Sequence, residues 1–154
     1  NDEGDLSKAH DILKETLPGG AIRGQKEAFI QDILRLSSLF SKKMESKGMK
    51  IQLEVVKNNM CRLFHEDNYR QRLLCTFKGP GTEWLDHSNV NRKALGKGSN
   101  GAIVKDSTKI HRANTYDVLL IKGAQYGRGE QSVVHRSPPI EHQHTTRVLL
   151  KIDE

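Results

Sequence analysis

Three side chains carry most of the chemical potential of this chain: His65 and Asp67 in the stretch LFHEDNYR, and His135 in SVVHRS. Extended backbone sends residues i and i+2 to the same face, so a His-x-Asp pair on a strand aims an imidazole and a carboxylate together. Such a pair alone is equally the polar rim of an ordinary sheet, because a transition-metal site needs at least one more donor. His135, 68 residues past Asp67 and preceded by two valines, supplies it. Two neutral imidazoles and one carboxylate leave a divalent ion with one net positive charge and open coordination positions, the donor set of non-haem ferrous centres. The same three donors suit zinc, which is redox-inert and usually four-coordinate. Arg147 follows His135 by 12 residues, and its guanidinium fork matches a carboxylate in a way that lysine cannot reproduce. Arg72, just beyond the His-x-Asp pair, is either a second carboxylate contact or a sheet-face ion pair. Cys61 shares strand parity with His65 and Asp67; a buried, inert thiol is expected there rather than a sulfur ligand. No catalytic residue beyond the metal ligands is identifiable.

The elements that must hold these residues are read from periodicity. Residues 1–23 are polar and acidic and end in the break Pro18-Gly19-Gly20, with a short helix expected over 6–16. From residue 25 to about 47, Phe29, Ile30, Ile33, Leu36, Leu39, Phe40 and Met44 recur at helical steps, and Gly48 supplies a stop. This amphipathic helix is expected to buttress a sheet. Strands are expected near 51–56, 60–67, 72–77, 115–123, 132–137 and 146–153. Pro80-Gly81 suits the centre of a type II turn; residues 86–114 are polar and Gly-rich, and GKGSNG (96–101) suits a mobile loop. Helices followed only by strands predict an antiparallel barrel or sandwich with a helical buttress, an α+β chain that is mainly β. The domain is expected to span residues 24–154.

Composition narrows the function classes. The 154 residues carry a net charge of +6, and residues 88–129 hold eight cations (Arg92, Lys93, Lys97, Lys105, Lys109, Arg112, Lys122 and Arg128) against Asp106 and Asp117. An anionic substrate or partner follows as an expectation. Nucleic acid is not favoured, because aromatic side chains for base stacking are sparse. No apolar run approaches the roughly 18 residues of a membrane span. Cys61 and Cys75 are too few for a disulfide scaffold, which suits a reduced, cytoplasmic setting. The chain lacks an initiator Met and reads as a piece of a longer one. His142 and His144 lie in a polar loop, where zinc binding would be adventitious. Nucleophile elbow, P-loop and dinucleotide fingerprint are all absent from the sequence.

The order His65-x-Asp67, His135, Arg147 resembles that of the 2-oxoglutarate- and iron-dependent oxygenases. The blocks FHEDN, RLLCTFKGPGTEWL, VLLIKG, VVHRSPP and RVLLKID, spread over residues 63–153, together resemble the uncharacterised family catalogued as domain of unknown function 1826. That family occurs mainly in bacteria, often beside zinc-responsive genes, and has no established activity. The oxygenase resemblance implies a double-stranded β-helix (jelly-roll, cupin-like). It makes His65, Asp67 and His135 ligands of Fe(II), with Arg147 holding 2-oxoglutarate and Tyr69 and Arg72 as further contacts to it; Tyr69, like Tyr116, is equally a packing residue. The implied function is hydroxylation of an unknown substrate. The zinc-linked neighbourhood implies the alternative, a non-catalytic zinc- or other metal-binding protein of metal homeostasis.

Overall fold

A computed structural model describes residues 2–17, 24–45, 48–58, 60–127, 132–141 and 145–154. The Pro18-Gly19-Gly20 break, Arg128 and the pair His142 and His144 lie outside the described residues. The chain divides into two compact units, Asn1–Met49 and Lys50–Glu154.

The first unit holds α1 (Asp2–Thr16) and α2 (Gln25–Met44). In α2 the buried stripe is Ile30, Ile33, Ser37, Phe40 and Ser41, whereas Leu39 is exposed. Ser37 is tolerated there because its hydroxyl donates to the Ile33 carbonyl at 2.8 Å. The helix stops before the glycine that signalled its end: Glu45 adopts φ 51, left-handed, and its N–H returns to the Ser41 carbonyl. His10 on α1 meets Glu27 on α2 at 3.1 Å. No helix among the described residues is long and apolar enough to cross a membrane.

The second unit is built on seven strands: β1 (Lys50–Val56), β2 (Gln71–Lys78), β3 (Glu83–Leu85), β4 (Ile110–Arg112), β5 (Val118–Lys122), β6 (His135–Arg136) and β7 (Arg147–Asp153). They form two antiparallel sheets, ordered β1-β7-β2-β5 and β4-β3-β6, and among the described residues they do not close into a barrel. The C-terminal strand β7 is central in the larger sheet. Its register sets Arg147 opposite Val56, Leu149 opposite Glu54 and Thr76, and Asp153 opposite Arg72. With a period of two, these residues share one face with Leu74, Leu119 and Ile121, and Leu74, Ile121 and Leu149 form a buried cluster there. The other face carries the buried Leu73, Cys75, Leu150 and Ile152. A second cluster joins Phe64, Leu85, Val90, Ala94, Ile103 and Val134.

Several local expectations are revised. Residues 60–67 are not a strand: Met60 and Cys61 turn, Cys61 has φ 47 and an exposed thiol, and only His65 makes a sheet bridge. The strand expected over 132–137 shrinks to β6. Gly81 is not in the left-handed region a type II turn requires; Gly79 is, at φ 80. Gly81 is needed because a Cβ there would lie 2.1 Å from the Ala113 carbonyl oxygen. Residues 86–114 are an ordered excursion containing three 3-10 turns, α3 (Asn100–Ile103) and β4. Buried Asn89 organises it, donating to the Asp106 and Lys109 carbonyls at 3.0 Å each and accepting from the Asp106 N–H at 2.8 Å. A largely polar sequence forms this structure because Asn89 satisfies buried backbone groups while Val90, Ala94 and Ile103 insert into the second apolar cluster.

Candidate metal centre

His65 and His135 face each other across a two-way backbone pair, each N–H donating to the other's carbonyl at 3.0 Å. Residues so paired present their side chains on one side, and the two imidazole centroids lie 4.7 Å apart. On the far side of His135, β6 pairs with β3 through Trp84, so His135 is fixed from both flanks. Asp67, two residues past His65, comes back to the same side. Its backbone carbonyl accepts from the Ala124 N–H at 2.8 Å, and Gly123 permits this approach: a Cβ there would stand 2.1 Å from the Tyr69 carbonyl oxygen.

The ring nitrogens are sorted by their partners. Nδ1 of His65 lies 2.8 Å from the Leu63 carbonyl, and Nδ1 of His135 lies 3.2 Å from that of Val133. A carbonyl only accepts, so each Nδ1 carries the proton and each Nε2 keeps its lone pair. Both Nε2 atoms point to Asp67, at 3.7 Å for His65 and 3.3 Å for His135. One donor atom from each of the three residues lies within 4.8 Å of the other two. Metal bonds of about 2.0–2.2 Å put neighbouring donors roughly 3–3.5 Å apart, so a small divalent ion fits without rebuilding the backbone.

Protonation suits ligation. Burial, with the neighbouring His135, holds the His65 imidazole below its ordinary pKa and therefore neutral at physiological pH. Burial pushes the Asp67 carboxyl up, but its contact with His135 and the neighbouring Arg72 guanidinium outweigh this, leaving its pKa lowered and the group ionised. Arg72 donates to Asp67 Oδ2 at 2.7 Å and grips Asp153 with two bonds of 2.5 and 3.0 Å. It therefore orients the carboxylate ligand while its own charge is shared between two acids.

Arg147 is unlike the other cations. It is fully buried and has no carboxylate partner among the described residues. Its guanidinium donates to Ser137 Oγ at 3.0 Å and to Thr76 and Thr82 Oγ1 at 3.2 Å each, and Nε has no acceptor. Burial pulls its pKa down to about 10, against the opposing pull of the Glu54 and Glu83 carboxylates. The pocket over the three metal-capable residues is small, with Val56, Leu74, Thr82, Ser137 and Leu149 on its walls. Arg147 stands behind the hydroxyls of Thr82 and Ser137. Tyr69 is not on these walls: it lies half-exposed beneath Arg72, whose guanidinium carbon is 4.5 Å from the ring centroid. Tyr116 is exposed and edge-on to Phe77. Cys61 does line the pocket.

Sequence periodicity missed the brace behind the ligands. Glu66, between His65 and Asp67, faces the opposite way and accepts from Arg92 and from the Ser132 hydroxyl. Arg92 also donates to the Ser132 carbonyl at 2.8 Å. One ion pair thus ties the segment bearing His65 and Asp67 to the segment leading into His135. Only the alternation rule, which turns Glu66 away from its neighbours, could have suggested it.

These features define an antiparallel-sheet protein with a compact two-imidazole, one-carboxylate cluster beside a buried guanidinium that has no direct carboxylate contact among the described residues. The chain belongs to the family described as protein of unknown function (DUF1826), whose model matches residues 4–153. No curated protein matches it.

Proposed function

We propose that this chain is an oxygenase-like protein of the double-stranded β-helix kind, in which His65, Asp67 and His135 hold Fe(II) and the adjoining pocket takes 2-oxoglutarate. Convergence of two Nε2 lone pairs and one ionised carboxylate, each set by a backbone or Arg72 contact, carries the metal assignment. The two facing antiparallel sheets with the cluster between them support the fold assignment. When bound, the ion and 2-oxoglutarate supply the oxidising chemistry: one oxygen atom of O₂ enters a substrate C–H bond and the other enters succinate, with loss of carbon dioxide. The chain's own work is positional. Leu63 and Val133 carbonyls hold the imidazoles in the ligating tautomer, and Arg72 fixes the carboxylate. The Thr82 and Ser137 hydroxyls, polarised by Arg147, would accept the far carboxylate of the co-substrate, while Val56, Leu74 and Leu149 exclude water. The test is anaerobic addition of Fe(II) and 2-oxoglutarate. A weak visible charge-transfer band lost in His135→Ala supports the assignment; absence of the band, with no thermal stabilisation by 2-oxoglutarate, removes the co-substrate.

A second reading draws on Cys61, an exposed thiol on the wall of the same pocket. The Cys61 sulfur lies outside the group of donor atoms formed by His65, Asp67 and His135; turned inward, its thiolate would close a four-coordinate zinc site with them and leave no open position, the chemistry of a metal-homeostasis module. Zinc retained through purification in wild type and lost in Cys61→Ser would favour it.

A further inference from the structure

We infer that the groove running outward from the candidate metal centre receives an acidic, partly apolar polypeptide segment. As to what happens at its inner end, this rests on the oxygenase reading; the docking itself does not. The groove is continuous. The metal-centre pocket shares Cys61 and His65 with a neighbouring depression, which shares Arg62 and Leu63 with the next, bounded by Ser99, Asn100 and Pro139. A last depression continues past Asn100 to Lys105 and Ile110.

Beyond the metal-centre pocket, every charged side chain on the described walls is a cation: Arg62, Arg136 and Lys105. Arg136 is neutralised by Glu83, whose Oε2 accepts from its Nε at 2.7 Å. Arg62 and Lys105 have no ion pair among the described residues, and Lys93 and Lys97 in the adjoining excursion have none either. Exposed Met60 and Leu63 stand beside Arg62. The site is preformed: Asn100 donates to the Arg62 carbonyl at 3.0 Å and accepts from the Phe64 N–H at 2.8 Å, leaving the Arg62 side chain free to face outward.

An open, elongated groove with unpaired cations set among apolar side chains is complementary to alternating acidic and apolar residues. A nucleic-acid strand shares the charge but needs exposed aromatic platforms for its bases. Phe64, the one aromatic side chain on these walls, is buried beneath Arg136, with the guanidinium carbon 4.5 Å from its ring centroid.

Fluorescence anisotropy tests this with three labelled probes: a short peptide alternating Glu and Leu, the same peptide with Lys for Glu, and a single-stranded oligodeoxynucleotide of matching length. The Glu-Leu peptide should bind wild type, the Lys-Leu peptide should not, and Arg62→Glu should weaken the first by about tenfold or more. Arg62 uses only its backbone for the Asn100 contacts, so this variant should keep its fold and its metal stoichiometry. Tighter binding of the oligonucleotide than of the Glu-Leu peptide, or equal peptide affinity in wild type and Arg62→Glu, overturns the inference. His135→Ala separates it from the metal reading. Loss of metal with peptide affinity retained supports the groove as an independent surface; wild type that holds metal but ignores the Glu-Leu peptide overturns the groove alone.

Discussion

Replacing Arg147 by Met tests whether its charge waits for an anion. A buried arginine paired with a carboxylate costs about 3–5 kcal/mol when removed, because the acid is stranded. Arg147 strands no acid. Burial lowers its pKa to about 10, which corresponds to about 3 kcal/mol against the charged form. Three hydroxyl contacts, at about 1 kcal/mol each, return a similar amount. The ligand-free variant should therefore unfold within about 1 kcal/mol of wild type in urea. The pH dependence has a definite sign. Below pH 10 both folded and unfolded chains carry the charge, and the burial cost is present in full. As pH rises above about 10 the folded protein gives up the proton before the unfolded chain does, so wild type gains stability relative to the variant. With Fe(II) present anaerobically, 2-oxoglutarate at a hundredfold excess over its Kd should stabilise wild type by about 2.7 kcal/mol and the variant hardly at all. A variant destabilised by several kcal/mol that still responds to 2-oxoglutarate would refute the assignment of Arg147.

Glu66→Gln removes the charge that Arg92 holds while leaving all three ligands in place; metal affinity by calorimetry should fall about tenfold to a hundredfold with the fold intact. Gly123→Ala drives a Cβ to 2.1 Å from the Tyr69 carbonyl and into the backbone beside Asp67. Chemical denaturation should show a loss of roughly 1–3 kcal/mol, and metal binding should weaken with it. In the helical unit, hydrogen bonds to Glu27 and Asp11 raise the His10 pKa. NMR titration should place it above 6.5, and Glu27→Gln should bring it down. The contact stabilises the folded state fully below the unfolded pKa and is lost as pH rises through the folded one.

The clustering of three donor side chains was readable from sequence because alternation and composition govern it: His65 and Asp67 on one parity, His135 after two valines, and an arginine opening the last strand. The backbone carrying them was not. Residues 60–67 have strand-like composition, yet Cys61 turns left-handed, and His65 reaches the sheet through one bridge. Long-range pairing decides that, and it leaves no local signal. The excursion after Asp86 reads as a polar, Gly-rich segment because its order depends on buried Asn89, whose partners lie up to 20 residues away, and on the scattered apolar Val90, Ala94 and Ile103. Arg147 was found by spacing, but its lack of a direct ion pair among the described residues follows only from packing.

Charge balance separates the two functional readings more sharply than the ligands do. The ionic groups on or behind the pocket walls are Asp67, Asp153, Glu54 and Glu83 against Arg72, Arg147, Arg136, Lys151 and the half-exposed Arg112, so the acids do not outnumber the cations. The imidazoles must be neutral to ligate, so a divalent ion adds two positive charges that the site's own acids do not offset. A dicarboxylate cancels both of these, whereas a zinc site closed by one thiolate cancels only one. The co-substrate reading therefore predicts strong discrimination by the far carboxylate. With metal bound, 2-oxobutanoate has the same keto-acid head without the second charge, and it should bind roughly a hundredfold more weakly than 2-oxoglutarate, about 2.7 kcal/mol. Arg147→Met should erase most of that difference by weakening 2-oxoglutarate alone. Equal affinity for the two acids in wild type would mean that the buried guanidinium does not read the ligand, and the oxygenase assignment would give way to the zinc one.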